Sequence, residues 1–408
     1  MKIMQINTSV NSSSTGRIAE NIGSLLIDEG HKSFIAYGIS SNESRSGIIK
    51  VGQKSGVLLH VLKTRFFDLH GFGSVKATRQ LVKKIELIDP DLIHLHNIHG
   101  YYINIEVLFE YLKKRQKPVV WTFHDCWPFT GHCCYFDTFS CDKWKTLCFD
   151  CPNTHGYPKS WLIDNSTSNY RQKKELFSGL ERMILVSPSE WLANHLGHSF
   201  LSKYEIKVIN NGVDLDKFIQ HNHEFNYAKT KSGREYILGV AGVWSKRKGL
   251  DDFLKLREIL DQEIEIILVG LSQKHSKSLT KGIRAISRTE SIADLASLYR
   301  GAGVFVNPTY VDNFPTTNLE ALACGTPVVT YNTGGSPEAI DSETGRVVQK
   351  GDITGLKGSI IELLNKDRQI MSEKCRSRAE EILDSKQMSQ NYLSLYRKIL
   401  EIHREFEN

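Results

Sequence analysis

Two carboxylates stand eight positions apart in DNFPTTNLEALACGTPVV, the stretch from Asp312 to Val329. Asn313, Phe314, Pro315, Thr316, Thr317 and Asn318 lie between them. Pro315 carries a fixed φ and suits a helix start, and Thr316 and Thr317 can cap or open that helix. Asn318–Cys324 would form its first turns. The first N–H groups of a helix lack partners inside it and sit at the positive end of its dipole, so they bind anions. Asp312 falls just before that place and Glu320 about one turn inside it. A phosphate on the N–H groups would carry a sugar toward one acid and a ribose toward the other. Gly325-Thr326-Pro327 stops the helix and opens a strand. A bare acid pair of this spacing usually only caps and solvates a surface helix. The strand GVFVNPT before it and the strand after it favour the binding reading.

A second concentration of chemistry is CWPFTGHCCYFDTFSCDKWKTLCFDC, which holds six of the eight cysteines: Cys126, Cys133, Cys134, Cys141, Cys148 and Cys151. A cytoplasmic chain does not normally use such residues as disulfides. Cys148-x2-Cys151 has metal-ligand spacing, and Cys133 or Cys134 with Cys141 would complete a tetrahedral thiolate shell for a structural zinc. The zinc set taken here is Cys133, Cys141, Cys148 and Cys151. The segment has no regular periodicity, so a metal clip would order an insertion that buries little core. Free thiols packed among the local aromatics are the other reading.

These groups need elements to position them. KIMQINT, SFIAYGI, DLIHLHN, PVVWTFHD and MILVSP read as near-continuous apolar strands in the first half, with helical patterns between them, one of them over Arg17–Glu29. EYILGVAGV, IEIILVG, IRAIS, GVFVNPT and PVVTYN repeat the pattern in the second half, with a helix near Leu250–Leu260. The implied fold is α/β: two doubly wound, Rossmann-like domains facing each other across a cleft, with ligands at the carboxyl ends of the strands. The first domain is expected over 1–219, with a Cys-rich insertion at about 126–152, and the second over 220–386. Gln220–Arg234 is the linker candidate. A last helix over 387–408 is expected to cross back to the first domain.

Composition sets outer bounds. The chain has 408 residues, 40% hydrophobic and 24% charged, which is ordinary globular usage. The net charge of +6 fits anionic small molecules or an anionic membrane surface, and is too small and dispersed for nucleic acid. Lys113, Lys114, Arg115 and Lys117 form a basic cluster that reads either as a lipid contact or as a solvated helix end. No apolar run reaches the roughly 18 residues of a membrane span. MKIMQINTSV lacks the apolar core of a secretory signal, so a cytoplasmic location is expected, with peripheral contact at the inner face of the cell membrane.

The stretch Asp312–Val329 closely resembles the acid-x7-acid signature of glycosyltransferase family 4, retaining enzymes of the GT-B fold that use nucleotide sugars. VINNGVDLDKF, Val208–Phe218, resembles the family's interdomain segment. The resemblance runs from Lys2 to about Leu364. It implies that Asp312 contacts the donor sugar, that the amides of Asn313 to Asn318 hold the diphosphate, and that Glu320 holds the ribose. The first acid is usually Glu, so Asp312 is one methylene short. VAGVWSKRKGLDDF resembles the segment whose cations neutralise the diphosphate, which points to Lys248 and less directly to Arg247; Val243 stands where the family usually has Arg. The loop before Gly16 resembles the glycine-rich first loop near the donor phosphates, with Thr15 in place of a second glycine. His124 resembles a histidine near the donor sugar, and it suits a hydrogen-bonding role better than that of a general base.

The resemblance also implies a UDP- or GDP-sugar donor and a glycan or polyprenyl-diphosphate-linked acceptor, in assembly of a bacterial capsule, exopolysaccharide or O-antigen. It implies metal-independent catalysis that needs no cofactor, so zinc would be structural only. A sugar-nucleotide epimerase on the same double fold is the alternative from another class, and a non-enzymatic Cys/zinc binding module is a further one. Redox dinucleotide and P-loop sites are disfavoured, because no G-x-G-x-x-G follows a strand and no G-x-x-x-x-G-K occurs.

Overall fold

Strands whose residues are apolar on both faces need cover on both faces, and helices supply it. A computed structural model gives the structure of residues 1–218, 236–271 and 280–407, with side chains to 402. The expected linker Gln220–Arg234 lies outside the described residues. The chain divides into two compact units, Met1–Asn210 with the last helix, and Asn211–Gln387.

The first unit holds β1 (Lys2–Val10), β2 (Lys32–Ser41), β3 (Gly47–Lys50), β4 (Leu92–Leu95), β5 (Val119–Thr122), β6 (Met183–Ser187) and β7 (Glu205–Val208). They form one sheet in the order β3-β2-β1-β4-β5-β6-β7, and every neighbouring pair is parallel. The second unit holds β8 (Tyr236–Val240), β9 (Glu265–Val269), β10 (Ile283–Ile286), β11 (Ala302–Asn307), β12 (Val328–Tyr331) and β13 (Gly345–Val348). Their order is β10-β9-β8-β11-β12-β13, again all parallel. Each sheet therefore reverses its winding once, between β1 and β4 and between β8 and β11. Loops leaving the carboxyl ends of those strand pairs diverge to opposite faces and open a crevice within the unit. Two parallel-sheet Rossmann-like domains are present, as the apolar runs implied.

Three strands escape the apolar-run reading: β3 (GIIK), β7 (EIKV) and β13 (GRVV). All three are sheet edges of four residues, partly exposed. An edge strand has a neighbour on one side only, so its apolar signal is weaker, although the fourth edge, β10, was still read from IRAIS.

The first helix, Ser13–Asp28, buries Ile18, Ile22 and Leu26 against Ile3, Leu92 and Val120 of the sheet. The same cluster takes Met388, Tyr392, Tyr396 and Leu400 from the last helix, Ser385–Glu407. That four-residue spacing is one face of a helix. Both buried tyrosines find polar partners, as buried hydroxyls must. Tyr392 Oη lies 2.9 Å from Thr122 Oγ1, and Tyr396 Oη lies 2.6 Å from His94 Nδ1. The last helix is thus keyed to the first unit by hydrogen bonds as well as by apolar area.

Tyr396→Phe leaves the buried His94 Nδ1 without its partner. Denaturant unfolding is expected to show a loss of about 1–3 kcal/mol, with the fold retained.

Candidate functional site

In the second unit the winding reversal brings the loop after β8 beside the loop after β11. The loop after β8 turns through Lys246–Lys248 and ends at Gly249, whose φ of +74° is left-handed. A Cβ there would stand 2.2 Å from Pro308 O, so only glycine permits the close approach of the two loops. Tyr310 N donates to Arg247 O at 2.8 Å, and Arg247 Nη1 donates to Val311 O at 2.9 Å. Arg247 therefore spends part of its guanidinium on holding the loops together. Lys248 Nζ reaches Asp312 Oδ2 at 2.5 Å, and both side chains are partly exposed. The two residues named from separate motifs thus form one ion pair at the carboxyl edge of the sheet.

Asp312 is held from behind. Gly335 N donates to Asp312 O at 3.1 Å, and Gly334 (φ +56°) lies so close that a Cβ would stand 1.8 Å from that oxygen. The helix runs over Thr316–Ala323, two residues ahead of the expected first turns at Asn318, with Pro315 in the cap position and no side-chain cap bond. A fixed φ at Pro315 sets the entry angle without a capping side chain. Thr316 and Thr317 are the half-buried residues of the first turn. Asn318 is otherwise engaged. Its N–H donates to Pro315 O, its Oδ1 accepts from Asn307 Nδ2, and its Nδ2 donates to Ser336 O and Oγ. Its side chain braces the helix start against β11 and the turn Ser336–Ala339. Asn313 and Phe314 are buried. Glu320 is buried, and its Oε2 accepts from Tyr299 Oη at 3.0 Å. Tyr299 and Asn307 had no motif to mark them in the sequence.

In the first unit the carboxyl ends of β1, β4 and β5 carry a chain of buried polar groups. Gln5 Nε2 donates to Ala19 O, which leaves Gln5 Oε1 to accept from His96 Nε2 at 3.0 Å. His96 Nδ1 must then accept from His124 Nε2, 3.1 Å away. The relay fixes His124 as the tautomer whose Nδ1 is an acceptor. Burial pushes the His124 imidazole down to about 4, and pushes His94, His96 and His70 well below the usual histidine range. These rings are neutral at physiological pH. His124 therefore suits hydrogen bonding, and its low basicity is poor for a general base. Beside it, His99 Nε2 lies 2.7 Å from Asp125 Oδ2. Burial pushes Asp125 up, but His99 and the Trp127 N–H outweigh it and hold the carboxyl below its ordinary value. Gly16 lies inside the first helix, and the close approach it allows is to Ser9 of β1, whose Oγ would stand 2.7 Å from a Cβ.

The cysteine segment folds through three short 3-10 turns around Phe129, Phe136 and Trp144. Cys133, Cys141, Cys148 and Cys151 line one small cavity, and all are free thiols. Among the described residues, the donor atoms that all lie within 4.8 Å of one another are those of His99, Asp125 and Cys134. In that group the histidine and carboxylate already satisfy each other.

Two family models match the chain: "Glycosyltransferase Family 4" over residues 15–217 and "Glycosyl transferases group 1" over residues 234–366. The chain belongs to the family-4 glycosyltransferases. A putative colanic acid biosynthesis glycosyltransferase of Escherichia coli is 24% identical over 87% of this chain and 89% of its own length. An N,N'-diacetylbacillosaminyl-diphospho-undecaprenol alpha-1,3-N-acetylgalactosaminyltransferase of Campylobacter jejuni is 26% identical over 55% of this chain and 62% of its own length. An Anabaena protein solved with UDP and glucose has the same GT-B fold, with a TM-score of 0.67 at 15% identity over 97% of this chain and 99% of its own. None of these matches supports the epimerase or the Cys/zinc binding-module reading. Among the described residues of this glycosyltransferase, no helix is long and apolar enough to cross a membrane.

The buried neutral histidines set a pH dependence. Unfolding returns His60 and His124 from about 4 to the ordinary value near 6.5, so between those limits the unfolded chain binds more protons. Their contribution to stability is present above about 6.5 and is lost as pH falls toward 4. Urea unfolding at stepped pH is expected to show that loss, and NMR is expected to show no titration of the His124 ring between pH 5.5 and 8.

Proposed function

We propose that this glycosyltransferase moves a sugar from a UDP- or GDP-sugar to a hydroxyl of a glycan or polyprenyl-diphosphate-linked acceptor, with retention at the anomeric carbon. The setting is assembly of a bacterial surface polysaccharide. The observation that carries the reading is the Lys248–Asp312 ion pair beside the helix start at Thr316. The E. coli and C. jejuni relatives support the polysaccharide setting and the lipid-linked acceptor by their names. The residues 220–386 take the donor and residues 1–219 the acceptor.

The diphosphate rests on the N–H groups at Thr316 and Thr317 and draws the Lys248 ammonium from Asp312 to its own oxygens. Asp312 is then released to accept from hydroxyls of the donor sugar, and Glu320, steadied by Tyr299, accepts from the ribose. His124 Nδ1 accepts from a sugar hydroxyl. The C1–O bond to phosphate breaks, and the nucleoside diphosphate leaves with the electron pair. The acceptor oxygen bonds C1 on the face the leaving group vacates, and the acceptor proton passes to a phosphate oxygen. Lys248 and the helix amides stabilise the charge that develops on the diphosphate, the part a divalent metal plays in other transferases.

We also propose peripheral contact with an anionic membrane at the cytoplasmic face, through the helix Lys54–Phe67 and the loop after it in space. Leu59 is 56% exposed, Phe67 52% and Trp161 51%. Phe66 packs edge-on to Trp161, and Arg65 lies over the same indole. Exposed apolar side chains on a helix that also carries Lys54, Lys63 and Arg65 suit the headgroup boundary of such a bilayer. The basic cluster near Lys113 is less suited. Arg115 pairs with Glu86, Lys117 with Asp89, and Lys113 donates to Glu175 O.

Lys248→Ala is expected to lower turnover by about 10²–10³-fold, and Glu320→Ala to weaken nucleoside diphosphate binding by at least about tenfold. Full activity in both variants would overturn the assignment. In a vesicle sedimentation assay with anionic lipid, Leu59→Glu with Phe67→Glu is expected to bind at least about tenfold more weakly. Undiminished binding would remove this surface from the account.

A further inference from the structure

One cavity of the first unit gathers more metal-binding chemistry than packing requires. It is lined by Cys133, Cys141, Cys148, Cys151 and His132, and its free volume of about 10 Å³ is near that of a single water-sized sphere. His132 is 2% exposed. Its Nδ1 lies 2.5 Å from Asp68 Oδ1, while its Nε2 is buried with no hydrogen-bond partner among the described residues. A buried ring nitrogen left without a partner costs free energy unless something occupies the space it faces. A carboxylate that fixes the far nitrogen of a histidine is the usual outer support of a metal centre.

The backbone around the thiols is arranged for sulfur. Gly131 N donates to Cys148 Sγ at 3.2 Å. A Cβ on Gly131 would stand 2.2 Å from Ser166 O and 2.7 Å from Cys148 Cβ, so glycine is needed for that approach. Cys151 N donates to Asp164 Oδ2 at 2.6 Å, and Lys143 Nζ donates to the carbonyls of Phe149 and Asp150. The C-x2-C turn is thus held at both ends.

We propose that this cavity is a structural zinc site in which Cys133, Cys141, Cys148 and Cys151 are the four ligands, with His132, anchored by Asp68, lining the same cavity beside them. On binding, Zn²⁺ displaces the four S–H protons to solvent. Zn–S bonds of about 2.3 Å place neighbouring sulfurs about 3.8 Å apart, so the ion draws the loop inward from the wider spacing seen here. Four thiolates close the shell, which makes the ion a clip and leaves no position for substrate. The clip braces a functional wall. Cys126 N donates to Cys134 O, Cys134 N donates to Tyr157 O, and Tyr157 Oη lies 3.5 Å from His99 Nδ1. The proposal stands apart from the transfer reaction.

The test is metal content of the full chain purified without chelator. One zinc per chain is expected, released by a mercurial thiol reagent. Cys148→Ser and Cys151→Ser are expected to lose it. Cys126→Ala, at a buried thiol outside the cavity, is expected to keep it. His132→Ala is expected to weaken retention against a competing chelator by about 10–100-fold. Because serine variants can fail to fold, Co²⁺ loading of the unmodified chain is the second measurement, and a tetrahedral spectrum with thiolate charge-transfer bands is expected. Substoichiometric zinc with no such bands, retention of zinc by Cys148→Ser, or a Cys133–Cys151 disulfide in the native protein would each overturn the proposal.

Discussion

In a parallel sheet every strand ends on the same edge, and this constraint assembles the candidate site residues of each unit. Within the second unit it brings the loop after β8 against the loop after β11, although Lys248 and Asp312 are far apart in the chain. Within the first unit it collects Gln5, His96 and His124 from three different strands into one hydrogen-bonded row. An antiparallel arrangement of the same segments would send alternate loops to opposite edges and separate both groups.

The two units use that edge in different electrostatic ways. The second presents charge: an ammonium, a carboxylate and the amino end of a helix, all close to solvent. The first hides its titratable groups, and burial keeps its histidines neutral. Neutral rings linked by directed hydrogen bonds hold fixed tautomers, which suits recognition of hydroxyl groups. Partly exposed charges can change partners at little cost, which suits a diphosphate that arrives and leaves. The glycines at 249 and 334 matter here because they let backbone approach backbone where a Cβ would hold the charged loops apart.

The insertion after β5 meets its constraints by other means. It has no long helix or strand, and it packs a few large aromatics, a buried Lys173 bonded to Trp127 O and Thr130 O, and a ring of thiols. Contrary to the expectation of an insertion with little core, Trp127, Phe129, Phe136 and Trp144 are buried in the main apolar cluster of the first unit, so apolar packing orders the segment together with directed polar bonds.

The sequence by itself determined the repeated βαβ pattern, the acid–helix–acid stretch and the cysteine cluster, because each rests on local spacing: apolar runs, helix-start chemistry and C-x2-C. Of the four short edge strands only β10 was legible, from IRAIS; β3, β7 and β13 were not, since their half-covered residues give little apolar signal. The helix start at Thr316 was legible from Pro315 and the two threonines, but not that Pro315 itself takes the cap position without a capping side chain. Only the tertiary structure decided that Lys248 pairs with Asp312, that Tyr299 steadies Glu320, and that Asn318 is spent on Asn307 and Ser336. It also decided that Asp68 pairs with His132 and that the neutral histidines form a relay. Those pairings join residues from different elements, and their partners are chosen by sheet order and backbone approach, which no short window of sequence encodes.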